Sequence, residues 1–303
     1  MSASPLFTGC AAALVTPFLP DGTLDEPALR RLIAMQRESH MDALVLLGTT
    51  GEPCALSMDE RSRIIEIGLD EAGDMPVIVG TGSNDTRHAI QYAHQAKALG
   101  AAGQLCVTPY YNKTTQSGLI AHYESILDAC PLPMILYHVP ARTGMSISVQ
   151  TAARLAGHPL IVGLKDAGGD LSYTADVLHA ARGRLPLYCG NDDLIAPMMA
   201  SGAVGAISVV ANVAPLQTAA ITRAALSGCT AQATSAQQAL LPLIRSLFSQ
   251  VSPIPVKAAL SMLGLCHDVL RMPLTPMEGP ERERLRGLLL EQTGMMPVAF
   301  PTK

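Results

Sequence analysis

The chain has 303 residues, of which 49% are hydrophobic and 15% charged, with a formal net charge of -4 and an isoelectric point near 6.0. This composition excludes intrinsic disorder, and the lack of a basic surplus disfavours nucleic acid or an anionic membrane as a partner. The length allows one large domain or two ordinary ones.

Two features bear on cellular location. The first ten residues, MSASPLFTGC, lack a basic segment followed by a long apolar one, and no apolar run approaches about 18 residues. Neither a secretory signal nor a membrane span is therefore expected. The seven cysteines include no C-x-x-C pair, so we expect reduced, buried thiols and a cytoplasmic protein.

Short apolar runs, the pattern of strands buried on both faces, recur through the first two thirds of the chain. In chain order they end at Val15, Leu47, Val79, Val107, Tyr137, Lys165, Cys189 and Ile207. Between them lie segments with helical spacing, such as Glu26–Ser39, Met58–Ala72, Arg87–Leu99 and Tyr173–Ala181. Eight strand–helix units predict an α/β fold, a closed (β/α)8 TIM barrel, as a catalytic domain over residues 1–225. An open doubly wound sheet is the alternative, but no pattern marks the change of strand order that it needs.

The strand pattern stops at about residue 226. Three helical patterns follow, QATSAQQALLPLIRSLF, PIPVKAALSMLGL and GPERERLRGLLLEQ. They predict a C-terminal helical extension, residues 226–303, packed on the barrel, because no low-complexity linker separates the two parts.

Polar residues follow several of the predicted strands, at the end of a TIM barrel where active sites are built. The segments are GTTGE after the second strand, TPYYNK after the fourth, YHVPARTG across the end of the fifth, a lysine at the end of the sixth and GNDD after the seventh. We therefore expect hydroxyl groups, a tyrosine, an arginine and a lysine to meet at one mouth of the barrel.

Lys165 stands out because it ends the otherwise apolar run LIVGLK. A lysine at a strand end often extends to solvent. In a barrel mouth, however, burial disfavours the charged amine, and a neutral amine can attack a ketone to form a Schiff base. The protonated imine then stabilises a carbanion on the adjacent carbon. We favour this second interpretation.

The neighbouring residues suit the same chemistry, although each has a plainer alternative. Tyr137 is placed to exchange protons with the amine, or is a core tyrosine. Thr49 and Thr50 can hold a carboxylate with hydroxyl and backbone N–H groups, or simply stabilise a turn. Arg142 offers a planar fork for a carboxylate, although most lone arginines are surface residues.

Other chemistries find little support in the sequence. GTGSND carries two glycines of a dinucleotide fingerprint but follows the third strand, and there is no phosphate-binding P-loop. The histidines show neither H-E-x-x-H nor zinc spacing with cysteine. Asp192 and Asp193 most simply cap the next helix. We therefore expect no metal.

Taken together, GTTGE, TPYYNK, YHVPART and the lysine of GLKDAGGD resemble the dihydrodipicolinate synthase / N-acetylneuraminate lyase family of pyruvate-dependent class I aldolases. Similar segments to SVVANVAP and PIPVKAALSMLGL also occur in that family. The resemblance implies that Lys165 forms a Schiff base with pyruvate and that no other cofactor is needed. It further implies that Tyr137 relays protons with Thr50, assisted by Tyr111 from a neighbouring subunit. The implied pyruvate site consists of Thr49, Thr50 and the backbone at Gly190 and Ile207.

The resemblance also suggests the second substrate. Arg142 occupies the place of an arginine that, in the synthase branch, binds the carboxylate of aspartate semialdehyde. This favours condensation of pyruvate with L-aspartate-4-semialdehyde to 4-hydroxy-tetrahydrodipicolinate, in lysine and diaminopimelate biosynthesis.

Departures from the family pattern keep alternatives open. His138 stands where asparagine is frequent, KDAGGD replaces the common KEATG, and GNDD replaces GDD, all at positions expected to border the second-substrate pocket. One alternative is a catabolic 2-oxo-acid aldolase or dehydratase acting on a sugar acid or 4-hydroxy-2-oxoglutarate. Another is a protein that binds a 2-oxo acid without catalysis.

Assembly and regulation are also implied by the resemblance. We expect a homotetramer built as a dimer of dimers, with small-molecule substrates and neither nucleic acid nor membrane as a partner. Pro53, Met58 and His88 replace small polar, basic and acidic residues of feedback-sensitive members, although Asn84 and Tyr110 are retained. We therefore predict weak or no inhibition by L-lysine.

Overall fold

The computed structural model describes residues 4–293, and eight strands in this range form one sheet. They are β1 Gly9–Ala13, β2 Ala43–Leu46, β3 Val77–Gly80, β4 Gly103–Val107, β5 Met134–His138, β6 Ile161–Asp166, β7 Leu187–Cys189 and β8 Gly205–Ser208. Every neighbouring pair is parallel, and β8 pairs with β1, so the sheet closes into a barrel. The predicted (β/α)8 barrel is confirmed, and the open sheet is excluded.

Helices follow the strands in the expected alternation. They are α1 Glu26–Glu38, α2 Met58–Ala72, α3 Thr86–Leu99, α4 Gln116–Ala129, α5 Pro140–Thr143, α6 Val149–Leu155, α7 Leu171–Ala181, α8 Ile195–Ala200, α9 Pro215–Leu226, α10 Thr230–Leu247, α11 Ile254–Met262 and α12 Pro280–Thr293. Side chains fix several starts: Asp25 caps α1, and a capping box of Ser57 and Glu60 begins α2. Across residues 4–293, no helix has both the length and the apolar character that crossing a membrane requires.

The core has two layers, because successive strand residues point alternately into the barrel and toward the helices. The interior layer includes Ala11, Ala13, Val45, Ile78, Leu105, Ile135, Tyr137, Val162, Tyr188 and Ile207. Phe7 closes the amino-terminal end of the barrel, since its ring stacks on that of Tyr188 with 4.5 Å between centroids. The Tyr188 hydroxyl also donates to the Phe7 carbonyl. The opposite, carboxyl-terminal end is the one left for a site.

A C-terminal helical extension packs on the barrel, as predicted. α10 lies against α8 and α9, and α12 lies against α10 and α11. The buried side chain of Gln237 on α10 accepts from the Ala196 N–H and donates to the Asp192 carbonyl, so the extension holds the connection between β7 and α8. The last ten residues of the predicted extension, 294–303, lie outside the described residues.

Candidate active site

A cavity of about 280 Å³, here called the inner cavity, opens at the carboxyl ends of the strands. Its wall includes Lys165 on β6, Tyr137 on β5, Thr49 and Thr50 after β2, Arg142 on α5 and Gly190 after β7. These residues come together because parallel barrel strands all end at the same rim. The structure thus gathers most of the site residues predicted from the sequence.

Lys165 and Tyr137 face the cavity from neighbouring strands. They are register partners in the β5–β6 pair, and the Lys165 Nζ lies 4.5 Å from the centroid of the Tyr137 ring. Lys165 is 5% exposed and Tyr137 is 7% exposed. The lysine therefore does not extend into bulk solvent, and its amine is placed where a small ketone in the cavity can meet it.

Gly190 makes room for the lysine. A Cβ on Gly190 would lie 2.9 Å from Cε of Lys165 and 2.7 Å from Cβ of Ala167, closer than carbon atoms pack. The Gly190 N–H donates to the Asp166 carbonyl at 2.7 Å, which ties the glycine to β6. The site therefore needs glycine here for its lack of a side chain.

The two threonines lie on a single 3₁₀ turn, Thr49–Gly51, directly after β2. The turn is flanked by Leu47 and Glu52, both in the left-handed region with φ of 56° and 52°, which residues other than glycine seldom adopt. The Thr16 hydroxyl donates to the Gly51 carbonyl at 2.7 Å and fixes the turn against the end of β1. Hydroxyl groups and the first N–H groups of a helical turn are suited to hold a carboxylate. We call this segment the threonine turn.

Arg142 lies on α5, a single helical turn that begins at Pro140. Its side chain is exposed but lines the inner cavity, and its Nη2 donates to the Ser252 carbonyl at 3.1 Å. The guanidinium is therefore anchored from one side while remaining accessible to a ligand.

A second space, here called the outer cavity, has a volume of about 330 Å³ and adjoins the first. The two share Thr49, Tyr137 and Arg142 as wall residues. Tyr110 and Pro273 line the outer cavity alone. Two adjoining spaces that share an arginine suit a reaction between two small molecules, one against Lys165 and one beyond it.

Two other predicted site residues, Tyr111 and Ile207, line neither cavity of this chain. Tyr111 is 92% exposed, with a φ of 69°. Ile207 is fully buried in the interior layer with Tyr137. The backbone of Gly190, by contrast, does line the inner cavity.

The sequence missed a buried polar pair behind the site. Nδ1 of His138 lies 3.0 Å from Oδ1 of Asp166, whose other oxygen accepts from the Thr174 hydroxyl on α7. His138 directly follows Tyr137 and Asp166 directly follows Lys165, so strand alternation turns both toward the helices. The expectation that these two residues border the second-substrate pocket is therefore wrong, and the period-two pattern could have shown it. Their neighbours Gly168 and Asn191 do line the inner cavity.

A second buried pair was also missed. Glu52, at the end of the threonine turn, and Lys257 on α11 approach to 2.5 Å between Oε1 and Nζ. Lys257 is fully buried and Glu52 is 6% exposed. No local pattern signals such a pair, because its members lie far apart in the chain.

Comparison with known proteins finds relatives that span the chain. The model of the dihydrodipicolinate synthetase family matches residues 6–292. The 4-hydroxy-tetrahydrodipicolinate synthase of Trichlorobacter lovleyi is 43% identical over 287 residues, 94% of this chain and 99% of the relative. Among solved structures, the chloride-inhibited dihydrodipicolinate synthase of Acinetobacter baumannii, complexed with pyruvate, matches with a TM-score of 0.93 and 42% identity over 95% of this chain and 99% of that one. A monomeric dihydrodipicolinate synthase variant matches with a TM-score of 0.93 and 38% identity over 96% of this chain and 98% of the other.

Proposed function

This chain belongs to the dihydrodipicolinate synthetase family, and we propose that it condenses pyruvate with L-aspartate-4-semialdehyde to 4-hydroxy-tetrahydrodipicolinate, a step of lysine and diaminopimelate biosynthesis. The enzyme is a class I lyase that holds pyruvate as a Schiff base. The observation that carries the assignment of residues is the buried pair of Lys165 and Tyr137, whose cavity also contains the threonine turn and Arg142.

Lys165 is the nucleophile of this reaction. Its neutral amine adds to the keto carbon of pyruvate, and loss of water gives an imine. The protonated imine accepts the electron pair that remains when a proton leaves the pyruvate methyl group. The resulting enamine carbon bonds to the aldehyde carbon of the second substrate, and the aldehyde oxygen takes up a proton to become the 4-hydroxyl group. The amino group of that substrate then displaces the Lys165 amine from the imine carbon, which closes the ring, releases the product and regenerates the amine. No added cofactor is needed, because the imine itself is the electron sink.

Tyr137 and the threonine turn assist this chemistry. The phenol ring of Tyr137 lies beside the Lys165 amine, so its hydroxyl is suited to move protons during imine formation, with Thr50 as its relay partner. Thr49 and Thr50 line the same cavity and hold the pyruvate carboxylate. Tyr137 and Thr50 are buried, which limits exchange of these protons with bulk water.

Arg142 selects the second substrate. Its guanidinium lines both cavities, so a molecule in the outer cavity can place its carboxylate on Arg142 and its aldehyde toward Lys165. A catabolic 2-oxo-acid aldolase or dehydratase remains the second candidate. It is now favoured only by the variant loop residues Gly168 and Asn191, since His138 and Asp166 bind each other behind the site.

Borohydride reduction in the presence of pyruvate tests the Schiff base directly. We expect one reduced pyruvyl adduct, located at Lys165 by peptide mass spectrometry, and none in Lys165→Ala, which should lose turnover by several orders of magnitude. A wild-type protein without the adduct would exclude the mechanism. Comparing kcat/KM for aspartate semialdehyde with a panel of other aldehydes and 2-oxo acids then separates the two candidate reactions.

We also propose that Tyr111 completes the active site of a neighbouring subunit in a homotetramer built as a dimer of dimers. The exposed side chains of Tyr111, Met272 and Val251 support this, because large apolar groups at a surface favour a partner. Met272 and Val251 also line the outer cavity, so a partner seated there would reach the site.

Mixing two inactive variants tests this arrangement. Lys165→Ala supplies an intact Tyr111, and Tyr111→Phe supplies an intact Lys165, so mixed oligomers should regain activity that neither parent has. No recovery after subunit exchange, or a fully active monomer in sedimentation, would exclude the shared site.

A cytoplasmic location is part of the same proposal. All seven cysteines are free in the structure, but the expectation of buried thiols is wrong for Cys54 and Cys229, which are exposed. Exposed thiols remain reduced most readily in a reducing compartment.

A further inference from the structure

Glu52 combines burial with a strained backbone. It ends the threonine turn with φ of 52° and ψ of 45°, the left-handed conformation that costs a residue other than glycine about 1 kcal/mol or more. Its N–H donates to the Thr49 carbonyl, so its backbone closes the turn. Such a conformation persists only where surrounding contacts hold it.

Those contacts come from the C-terminal extension. One carboxylate oxygen of Glu52 pairs with Lys257 Nζ at 2.5 Å, and the other accepts from the Arg271 N–H at 3.0 Å. Lys257 Nζ also donates to the Val269 carbonyl at 2.8 Å and lies 4.1 Å from the centroid of the Phe18 ring. The threonine turn is thus held by a charged group from the distant part of the chain.

A general contribution to stability does not explain this pair. Burial lowers the pKa of Lys257, and the Glu52 carboxylate offsets this effect only in part, so pairing does not fully repay the desolvation of the ammonium. Apolar residues of the same volume often serve a fold equally well or better. The strained residue and its ion pair instead meet at one place, next to the two threonines that line the inner cavity.

We propose that Glu52 and Lys257 are positioning residues that hold the threonine turn in the geometry needed to bind the pyruvate carboxylate. The inference rests on the proposed function, because it assigns the turn to pyruvate. It makes the C-terminal extension a working part of the active site rather than only a support for the barrel.

The test uses the full chain and three variants: Glu52→Gln, Lys257→Met and the double variant. The pyruvate concentration that half-saturates the borohydride-trapped adduct reports carboxylate binding without the second substrate. Each single variant leaves one buried charge unpaired, so both binding and the melting temperature should suffer. The double variant removes both charges at nearly constant volume and should recover most of the melting temperature. Its half-saturating pyruvate concentration should nevertheless stay raised, by about tenfold or more.

Glu60→Gln is the matched control. Glu60 pairs with the side chain of Arg271, beside Glu52 but in a partly exposed position. Its loss should lower stability without changing the half-saturating pyruvate concentration.

The outcomes distinguish failure of the proposed function from failure of the positioning role. A wild-type protein that traps no adduct contradicts the proposed function. If the wild-type protein traps the adduct and the folded double variant shows the wild-type half-saturation, the positioning role is excluded. A double variant that cannot fold would make the pair a folding requirement and would equally overturn the proposal.

Discussion

Gly190 leaves space for the side chain of Lys165, the proposed nucleophile. In Gly190→Ala the new methyl group would overlap Cε of Lys165, so the lysine must leave its place against the cavity wall. We expect kcat to fall by about tenfold or more with a smaller loss of stability. Steady-state kinetics and thermal unfolding check this.

Gly287→Ala is the appropriate comparison. Gly287 lies on α12 with open space where alanine would add its methyl group, so this substitution should leave kcat unchanged and stabilise the helix by up to about 1 kcal/mol. Equal activity of both variants would remove the steric argument.

The buried side chain of His122 should make the stability of the fold depend on pH. Burial lowers the pKa of His122 to about 4 from an ordinary value of 6.5, and its Nδ1 lies 2.9 Å from the Thr86 hydroxyl. Between these two pH values the unfolded chain binds more protons at this position than the folded protein does. The contribution of His122 to the free energy of unfolding is therefore fully present above about pH 6.5. It is lost as the pH falls toward 4, by roughly 3 kcal/mol.

His122→Gln should remove that part of the pH dependence. Urea unfolding at pH 7 and pH 5 measures it, and His88→Gln, at an exposed histidine, serves as the control. If His122→Gln retains the wild-type loss of stability between the two pH values, burial of His122 is not its cause.

The carboxylate of Asp166 connects three secondary-structure elements. Its carboxylate joins the end of β6 to His138 at the end of β5 and to Thr174 on α7, and it also accepts from the Gly168 N–H. Asp166→Ala leaves the buried side chains of His138 and Thr174 without this partner, so we expect a loss of about 3 kcal/mol in the free energy of unfolding. Because Lys165 and Tyr137 precede the paired residues, kcat should also fall.

Asp170 provides the contrast on the same segment. It caps α7 from an exposed position by accepting from the Ser172 N–H. Asp170→Ala should cost about 1 kcal/mol and leave kcat near the wild-type value. Equal losses in the two aspartate variants would contradict a special role for the buried carboxylate.

The sequence predicts elements well where one physical signal dominates. The eight strands are apolar throughout because both faces are covered, which separates them from the amphipathic helices around them. It does not predict α5, because a four-residue helix is too short to show a periodicity. Arg142 was therefore recognised by its place in the chain, without the helical turn that carries it.

At the scale of the whole molecule, the extension and the barrel depend on each other. Gln237 on α10 holds the β7–α8 connection, and Lys257 on α11 neutralises Glu52. A fragment of residues 1–225 loses both contacts and exposes the faces of α8 and α9 that pack on α10. We expect it to aggregate or to lack cooperative unfolding, as measured by circular dichroism and size-exclusion chromatography. A soluble fragment that still traps pyruvate would show that the barrel suffices.

Regulation is a second property of the whole molecule. The buried guanidinium of Arg61 lies 4.0 Å from the centroid of the Tyr92 ring. By resemblance to the family, Met58 and His88 replace basic and acidic residues of feedback-sensitive members. We expect initial rates to be insensitive to L-lysine, and a submillimolar inhibition constant would contradict this.

Long-range pairs mark the limit of what the sequence could predict. The meeting of Lys165, Tyr137 and Thr50 at one cavity was predictable, because side chains that follow barrel strands share one rim. Glu52 and Lys257 are brought together by folding of the entire chain, and neither residue type carries a local sign of its partner. The proposed role of Tyr111 involves a second subunit, and a contact between subunits leaves no local pattern in the sequence.

The stacked rings of Phe7 and Tyr188 affect the route by which substrates and product reach and leave the inner cavity. Because these rings fill the amino-terminal end, we expect both reactants and the product to pass through the carboxyl-terminal end, where the two cavities lie. Pyruvate must therefore enter the inner cavity before the second substrate occupies the outer cavity. A molecule bound in the outer cavity blocks the way out of the inner one. We therefore expect a compound that fills only the outer cavity to inhibit turnover without contacting the Lys165 amine.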